Sequence, residues 1–283
     1  MEQHLDSLIK ERKNIVVTPS TVTKYSDEQQ TDREVKSLEI ARTSDLRITE
    51  LLNHNKNSLT LSFCPGISVF QLLEQLHLNG DDESIFKILD KLACDMLTLQ
   101  SSSHFAIEVP YPFAQKLSEI KEVMLILDQK KPYNLLKKIE QQVVTALNDC
   151  PHLPFRDATP KNYIVKNVFT LSDVTSIDDL EIIAIDFATF HFGTHAYDDL
   201  ISLFFHYIVS ETNRAKLIEK YMPDFATDAA QAILVLRLGR FWVRRAYYKK
   251  FHPELFKIRY KLEDISFYER HFFDSLEAFN RLK

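Results

Sequence analysis

Apolar and polar positions alternate with a period of two in the first quarter of the chain and recur near 3.6 through most of the remainder. That pattern predicts a small β-rich part followed by a larger helical one. Residues 14–18 (NIVVT) and 21–25 (TVTKY) are β-branched runs separated by Pro19-Ser20, the pattern of a hairpin. Val35, Leu38 and Ala41 then recur at helical spacing over 31–41, with Thr31 or Asp32 as the cap. Glu34 completes a capping box if Thr31 is the cap. Residues 59–64 (LTLSFC) alternate again and stop at Pro65-Gly66, the natural place for a hinge.

Beyond the turn, Ile85, Ile88, Leu89, Leu92, Ala93 and Met96 form one helical stripe over 84–99, and Leu135, Ile139, Val143 and Leu147 form another. Two prolines, Pro151 and Pro154, break the helical run and enforce extended backbone. A short strand over 162–166 and an apolar one over 181–187 (EIIAIDF) are joined by a polar loop, after which helical spacing resumes at Tyr197 and continues to the end. The expected layout is two-lobed α+β, with a ligand cleft between the lobes.

Composition narrows the function classes. Of 283 residues, 45% are apolar and 27% charged, which is ordinary for a globular protein and excludes general disorder. Four glycines exclude any GxGxxG fingerprint. A net charge of -5 gives no reason to expect nucleic acid. Cys64, Cys94 and Cys150 are widely spaced, which points to a reducing compartment and no structural zinc. With no apolar leader in the first residues and no long apolar run, the expectation is a cytoplasmic protein without a transmembrane segment.

Candidate chemistry is concentrated in two segments. In residues 155–162 (FRDATPKN), Asp157 and Asn162 stand five apart with Pro160 between them; Asp186 follows 29 residues after Asp157, at the end of the apolar strand. A carboxylate and an amide oxygen suit Mg²⁺, which takes one or two carboxylates alongside phosphates and water. That leaves Asp157 to orient and deprotonate an attacking hydroxyl.

D-x-x-P-x-N followed by I-D-F resembles the catalytic loop and metal-binding turn of the protein kinase-like superfamily. The likeness is to its small-molecule branch, the aminoglycoside phosphotransferases and choline/ethanolamine kinases. Tyr197-Asp198, where Asp198 lies twelve residues past Asp186, matches the aromatic-Asp pair that opens a helix in those families. Lys24 in a strand and Glu34 on a helix resemble their phosphate-binding lysine and its partner, and residues 63–66 resemble the end of their inter-lobe strand. The resemblance implies a bilobal kinase-like α+β fold, with a reduced nucleotide-binding N-lobe over 1–66 and a mostly helical C-lobe over 67–283. It implies ATP and Mg²⁺ as cofactors, Lys24 and Glu34 at the phosphates, Asn162 and Asp186 on the metal, Asp157 as base, and Asp198 capping its helix and bracing the catalytic loop. An exposed strand lysine and a capping glutamate are the alternative readings of Lys24 and Glu34.

The sequence departs from the family pattern at three places. Phe155 replaces a His two residues before the base, and Arg156 stands where small-molecule kinases carry Gly. Glycine is absent before Gly66, so a phosphate-covering hairpin would carry the charged tip Lys10-Glu11-Arg12-Lys13. These departures motivate an alternative from another class, a pseudokinase serving as a binding or scaffold module. Spacing favours the small-molecule branch over a protein kinase: eleven residues between Asp186 and Asp198 are too few for an activation loop.

Residues 237–261 carry nine basic side chains against Glu254 alone, interleaved with aromatics. Aminoglycosides are polycations and want an acidic pocket, so this charge argues for an anionic small-molecule acceptor, or for peripheral contact of Arg237–Lys261 with an acidic surface. A solvated basic helix face is the bland alternative.

Overall fold

The computed structural model describes residues 14–44, 46–101, 109–149, 152–155, 159–187, 192–195, 197–260 and 264–281. The first part is a four-stranded antiparallel sheet of order β1-β2-β4-β3, built from β1 (Ile15–Val17), β2 (Thr21–Tyr25), β3 (Leu51–Asn55) and β4 (Ser58–Ser62). One helix, α1 (Glu28–Ala41), covers it. Register explains how. Val22 and Lys24 of β2 lie opposite Leu61 and Leu59 of β4, and both leucines are buried, so the period of two turns Lys24 toward the covered face. Thr23 and Thr60 meet on the other face with their hydroxyls 3.2 Å apart. Helix α1 presents Val35, Leu38 and Ala41 to the buried side, joined there by Glu34.

The helix begins earlier than its apolar period predicts. Asp27 is the N-cap and accepts from the Gln30 amide at 2.8 Å, so Thr31 and Asp32 lie inside the helix. Residues 28–30 are exposed and polar, which is why periodicity missed them. Thr31 is buried instead, with its hydroxyl 2.7 Å from that of Ser26.

Strand β4 ends at Ser62, short of the predicted Cys64, and β5 (Gly66–Ser68) starts the second part. β5 pairs with β8 (Tyr163–Lys166), which pairs with β9 (Ile182–Ala184) in a second antiparallel sheet. Gly66 has φ +145°, and a Cβ there would stand 2.0 Å from the Val165 carbonyl oxygen, so side-chain-free backbone is what lets β5 reach β8. The helices follow: α2 (Val69–Leu78), α3 (Asp82–Ser101), α4 (Phe113–Ile126), α5 (Lys130–Asn148), α6 (Tyr197–Phe204), α7 (Glu211–Tyr221), α8 (Asp228–Phe251), α9 (Pro253–Arg259) and α10 (Ile265–Arg281). A third sheet joins β6 (Val109–Pro110), β10 (Phe192–His195) and β7 (His152–Phe155).

The stripe predicted on α3 is fully buried, each residue contributing roughly 1.5–3 kcal/mol over exposure for the larger side chains. On α5 the buried stripe is Leu136, Ile139, Val143 and Leu147; Leu135 is at its margin. Helices α8 and α10 pack through Trp242 stacked on Phe272 at 5.4 Å, and Gly239 lets Phe272 approach within 2.9 Å of where a Cβ would sit. Among the described residues no helix is long and apolar enough to cross a membrane.

Candidate active site

Three segments of the chain converge beneath the first sheet. Lys24 on β2 reaches across to Glu34 on α1 in an ion pair, and its Nζ lies 3.3 Å from Asp186 Oδ1. Glu34 also accepts from the backbone amide of Phe187. The carboxylate read locally as a capping group is thus an ion-pair partner, because Asp27 already caps the helix. Glu34 is 3% exposed at its side chain and Lys24 17%.

Electrostatics follow from that burial. Burial pulls the Lys24 ammonium down, but Asp186 and Glu34 together outweigh it and hold its pKa above the ordinary value. Burial pushes the Glu34 carboxyl up, and the opposing pull of Lys24 does not cancel the rise. The pair therefore carries a desolvation cost that only its geometry offsets.

Asp186 sits two residues beyond the end of β9, not within a strand, since pairing stops at Tyr163 opposite Ala184. The Ile185 amide still donates to the Asn162 carbonyl at 2.9 Å, and then the chain leaves the sheet with Asp186 at φ +67°. A non-glycine residue in left-handed backbone is uncommon, and such strain clusters at functional positions. Asn162 closes a short 3-10 turn, Pro160–Asn162, directly before β8. Hairpin register thus sets Asn162 opposite Ile185, the residue before Asp186. Asp157 and Arg156 lie outside the described residues, as do Lys10 to Lys13.

Two further ties join the parts: the Thr49 amide donates to the Ala184 carbonyl at 3.2 Å, and the Ala184 amide donates to the Arg47 carbonyl at 2.8 Å. Asp198, in the first turn of α6, is buried and held by a bidentate ion pair from Arg237 of α8, a partner that sequence reasoning missed. The predicted basic stretch is not one surface. Arg237 and Arg245 are buried, Arg240 donates to the Tyr111 hydroxyl, and Arg244, Lys249, Lys250 and Lys257 are exposed. A surface groove of about 440 Å³ lined by Gln141, Thr145, Asp149 and Thr227 shares no residue with the convergence point.

No protein-family profile and no curated protein sequence matches the chain. Solved structures do. Aminoglycoside phosphotransferase APH(2'')-Ib with ADP bound superposes with a TM-score of 0.54 at 12% identity, over 98% of this chain and 96% of that one. Choline kinase LicA from Streptococcus pneumoniae gives 0.54 at 11% identity, over 98% and 99%. The ternary complex of APH(2")-IIa with streptomycin and ATP gives 0.55 at 13% identity, over 94% and 96%. With its small antiparallel N-terminal sheet and large helical C-terminal part, the chain has the kinase-like fold of these aminoglycoside and choline kinases.

Proposed function

We propose that this chain is an ATP- and Mg²⁺-dependent phosphotransferase acting on a hydroxyl of a small molecule, with residues 1–66 as its nucleotide lobe and 67–283 as its acceptor lobe. The observation that carries the reading is the meeting of Lys24, Glu34 and Asp186, three charged groups from separate elements, over the turn that ends at Asn162. A lysine shared between two carboxylates, one of them on left-handed backbone, is the preorganised charge cluster that a phosphate site uses.

In this reading Lys24 donates to the nucleotide phosphates, and Glu34 fixes the direction of its ammonium. Asn162 and Asp186 hold Mg²⁺; an amide oxygen and a carboxylate are hard donors that suit it. Bound there, the ion neutralises phosphate charge. Asp157 orients the acceptor hydroxyl and takes its proton as that oxygen bonds to the terminal phosphorus and the bond to ADP breaks. Rate enhancement comes mainly from alignment and charge neutralisation. Two of the structures sharing the fold were solved with ADP or with ATP and streptomycin, which supports a nucleotide site here.

The test is ADP release measured across a panel of hydroxyl-bearing metabolites. Turnover of one compound that falls by about 10²–10⁴ in Asp157→Asn, with ATP affinity kept, is the expected result. A chain that neither turns over nor binds nucleotide is a binding module instead.

A further inference from the structure

The C-terminal end of α8 and the helix after it leave both charge and large apolar side chains on the outside. Arg244, Tyr247 and Phe251 follow one line of α8, with Arg244 and Phe251 exposed and Tyr247 half-buried. The Phe251 ring is 43% exposed and lies 4.8 Å from that of Tyr247. Lys250 stands at the edge of this line. Its Nζ is 5.2 Å from the Phe251 ring centroid and 3.4 Å from the Ile126 carbonyl oxygen, at the end of α4. On α9, Lys257 and Ile258 are exposed, and Ile258 at 77% is the most exposed large apolar side chain among the described residues. Arg244 and Lys250 form no ion pair with any described residue, and Lys257 is paired within its own helix, to the exposed Glu254 at 3.1 Å.

Such a surface suits one class of partner. Protein interfaces are enriched in aromatic residues and arginine but depleted in lysine. Here single apolar side chains stand among lysines and an arginine, whose long stems let the charge reach outward past them. A peripheral protein meets a bilayer in this way: apolar tips enter the boundary between headgroups and acyl chains, and cations meet anionic headgroups. The charge also runs against the trend of the molecule. The chain carries -5 in all, yet residues 237–261 hold nine basic side chains against one acid. An anionic surface therefore attracts this end and repels the rest, which sets an orientation. We infer that Arg244, Lys250, Phe251, Lys257 and Ile258 form a docking surface for a membrane containing anionic lipid. The surface borders the candidate site. Arg240, one turn before Arg244, donates to the Tyr111 hydroxyl just past β6, and the ring of Tyr260, which follows α9, lies 5.6 Å from the Nζ of Lys161, the neighbour of Asn162.

The test is co-sedimentation of the full chain with vesicles of phosphatidylcholine, alone or with about 30% phosphatidylserine, at about 0.1 M salt. Partitioning into the anionic vesicles should exceed that into the neutral ones by at least about tenfold. Arg244→Gln and Lys250→Gln should each weaken it about fivefold, and Ile258→Ser about tenfold, with circular dichroism showing the fold kept. Lys56→Gln, an exposed lysine on the turn between β3 and β4, should leave it within about twofold of the parent chain. Equal partitioning into both kinds of vesicle overturns the inference, as does a loss in Lys56→Gln as large as that in Lys250→Gln. Polyglutamate that binds as tightly as the anionic vesicles, unaffected by Ile258→Ser, would assign the surface to an acidic polypeptide and overturn it as well. No arm contains nucleotide, so the outcome is independent of the phosphotransferase reading.

Discussion

Lys24 and Glu34 form a buried ion pair whose structural cost and proposed role at the phosphates can be tested apart. Lys24→Met strands a carboxylate that is 3% exposed, and breaking a buried pair this way costs about 3–5 kcal/mol. Adding Glu34→Leu removes the orphaned charge, so the double variant should recover most of that loss in urea denaturation. Nucleotide affinity should not return with it, because the ammonium is gone; recovery of both would make the pair structural only. Local sequence reasoning could not separate a capping glutamate from an ion-pair partner, since T-x-x-E fits both. The Asp27 cap and the ion pair with Lys24 decide between them, and strand register supplies the reason: Lys24 shares the inward face with Val22, opposite Leu59 and Leu61.

His206 makes a second residue-scale expectation. Its native pKa lies well below 6.5, from burial and from Arg245, Lys161, His77 and Arg214, so below pH 6.5 the unfolded chain takes a proton that the native chain refuses. A depressed native value means stability that is present above pH 6.5 and lost as pH falls, by up to about 1.4 kcal/mol per unit. His271, also depressed by burial and by Arg214, acts in the same direction. His206→Phe should flatten the fall between pH 6.5 and 5 by about one proton, read from urea midpoints. An unchanged slope would mean that His206 takes up protons alike in both states.

At the level of elements, the long amphipathic helices were legible because burial of a stripe is a local property of sequence. The edges were not. Strand β3 (LLNHN) carries polar, exposed positions on the rim of its sheet, so nothing in its composition marks it. The predicted strand over 181–187 pairs only over 182–184, since Ile185 to Phe187 leave the sheet for a turn whose strain no period of two can encode. Two glycines with positive φ separate strain from contact. Gly66→Ala combines both, with its Cβ 2.0 Å from the Val165 carbonyl oxygen, and should cost upward of about 2 kcal/mol by breaking the β5–β8 junction. Gly80→Ala has φ +69° and open space within 4 Å, so left-handed backbone alone sets its cost at roughly 1 kcal/mol. Equal losses in thermal denaturation would contradict the contact argument.

The whole molecule depends on pairings that only the fold brings together. Asp198 and Arg237 are 39 residues apart, and their buried pair ties α6 to α8. That tie converts part of the basic stretch from surface into scaffold, which composition could not show because charge counts carry no information about burial. The bilobal layout and the order of Lys24, Glu34, Asn162 and Asp186 were readable; their approach in space required register and helix placement. The proposed function requires Lys24, Asn162 and Asp186 to form one nucleotide and metal site. Thermal stabilisation by ATP, measured with and without Mg²⁺ in the parent chain and in Asp186→Ala, tests this most directly. A Mg²⁺-dependent rise in Tm that vanishes in Asp186→Ala is the predicted result, and a parent chain whose Tm ignores saturating Mg·ATP would contradict it.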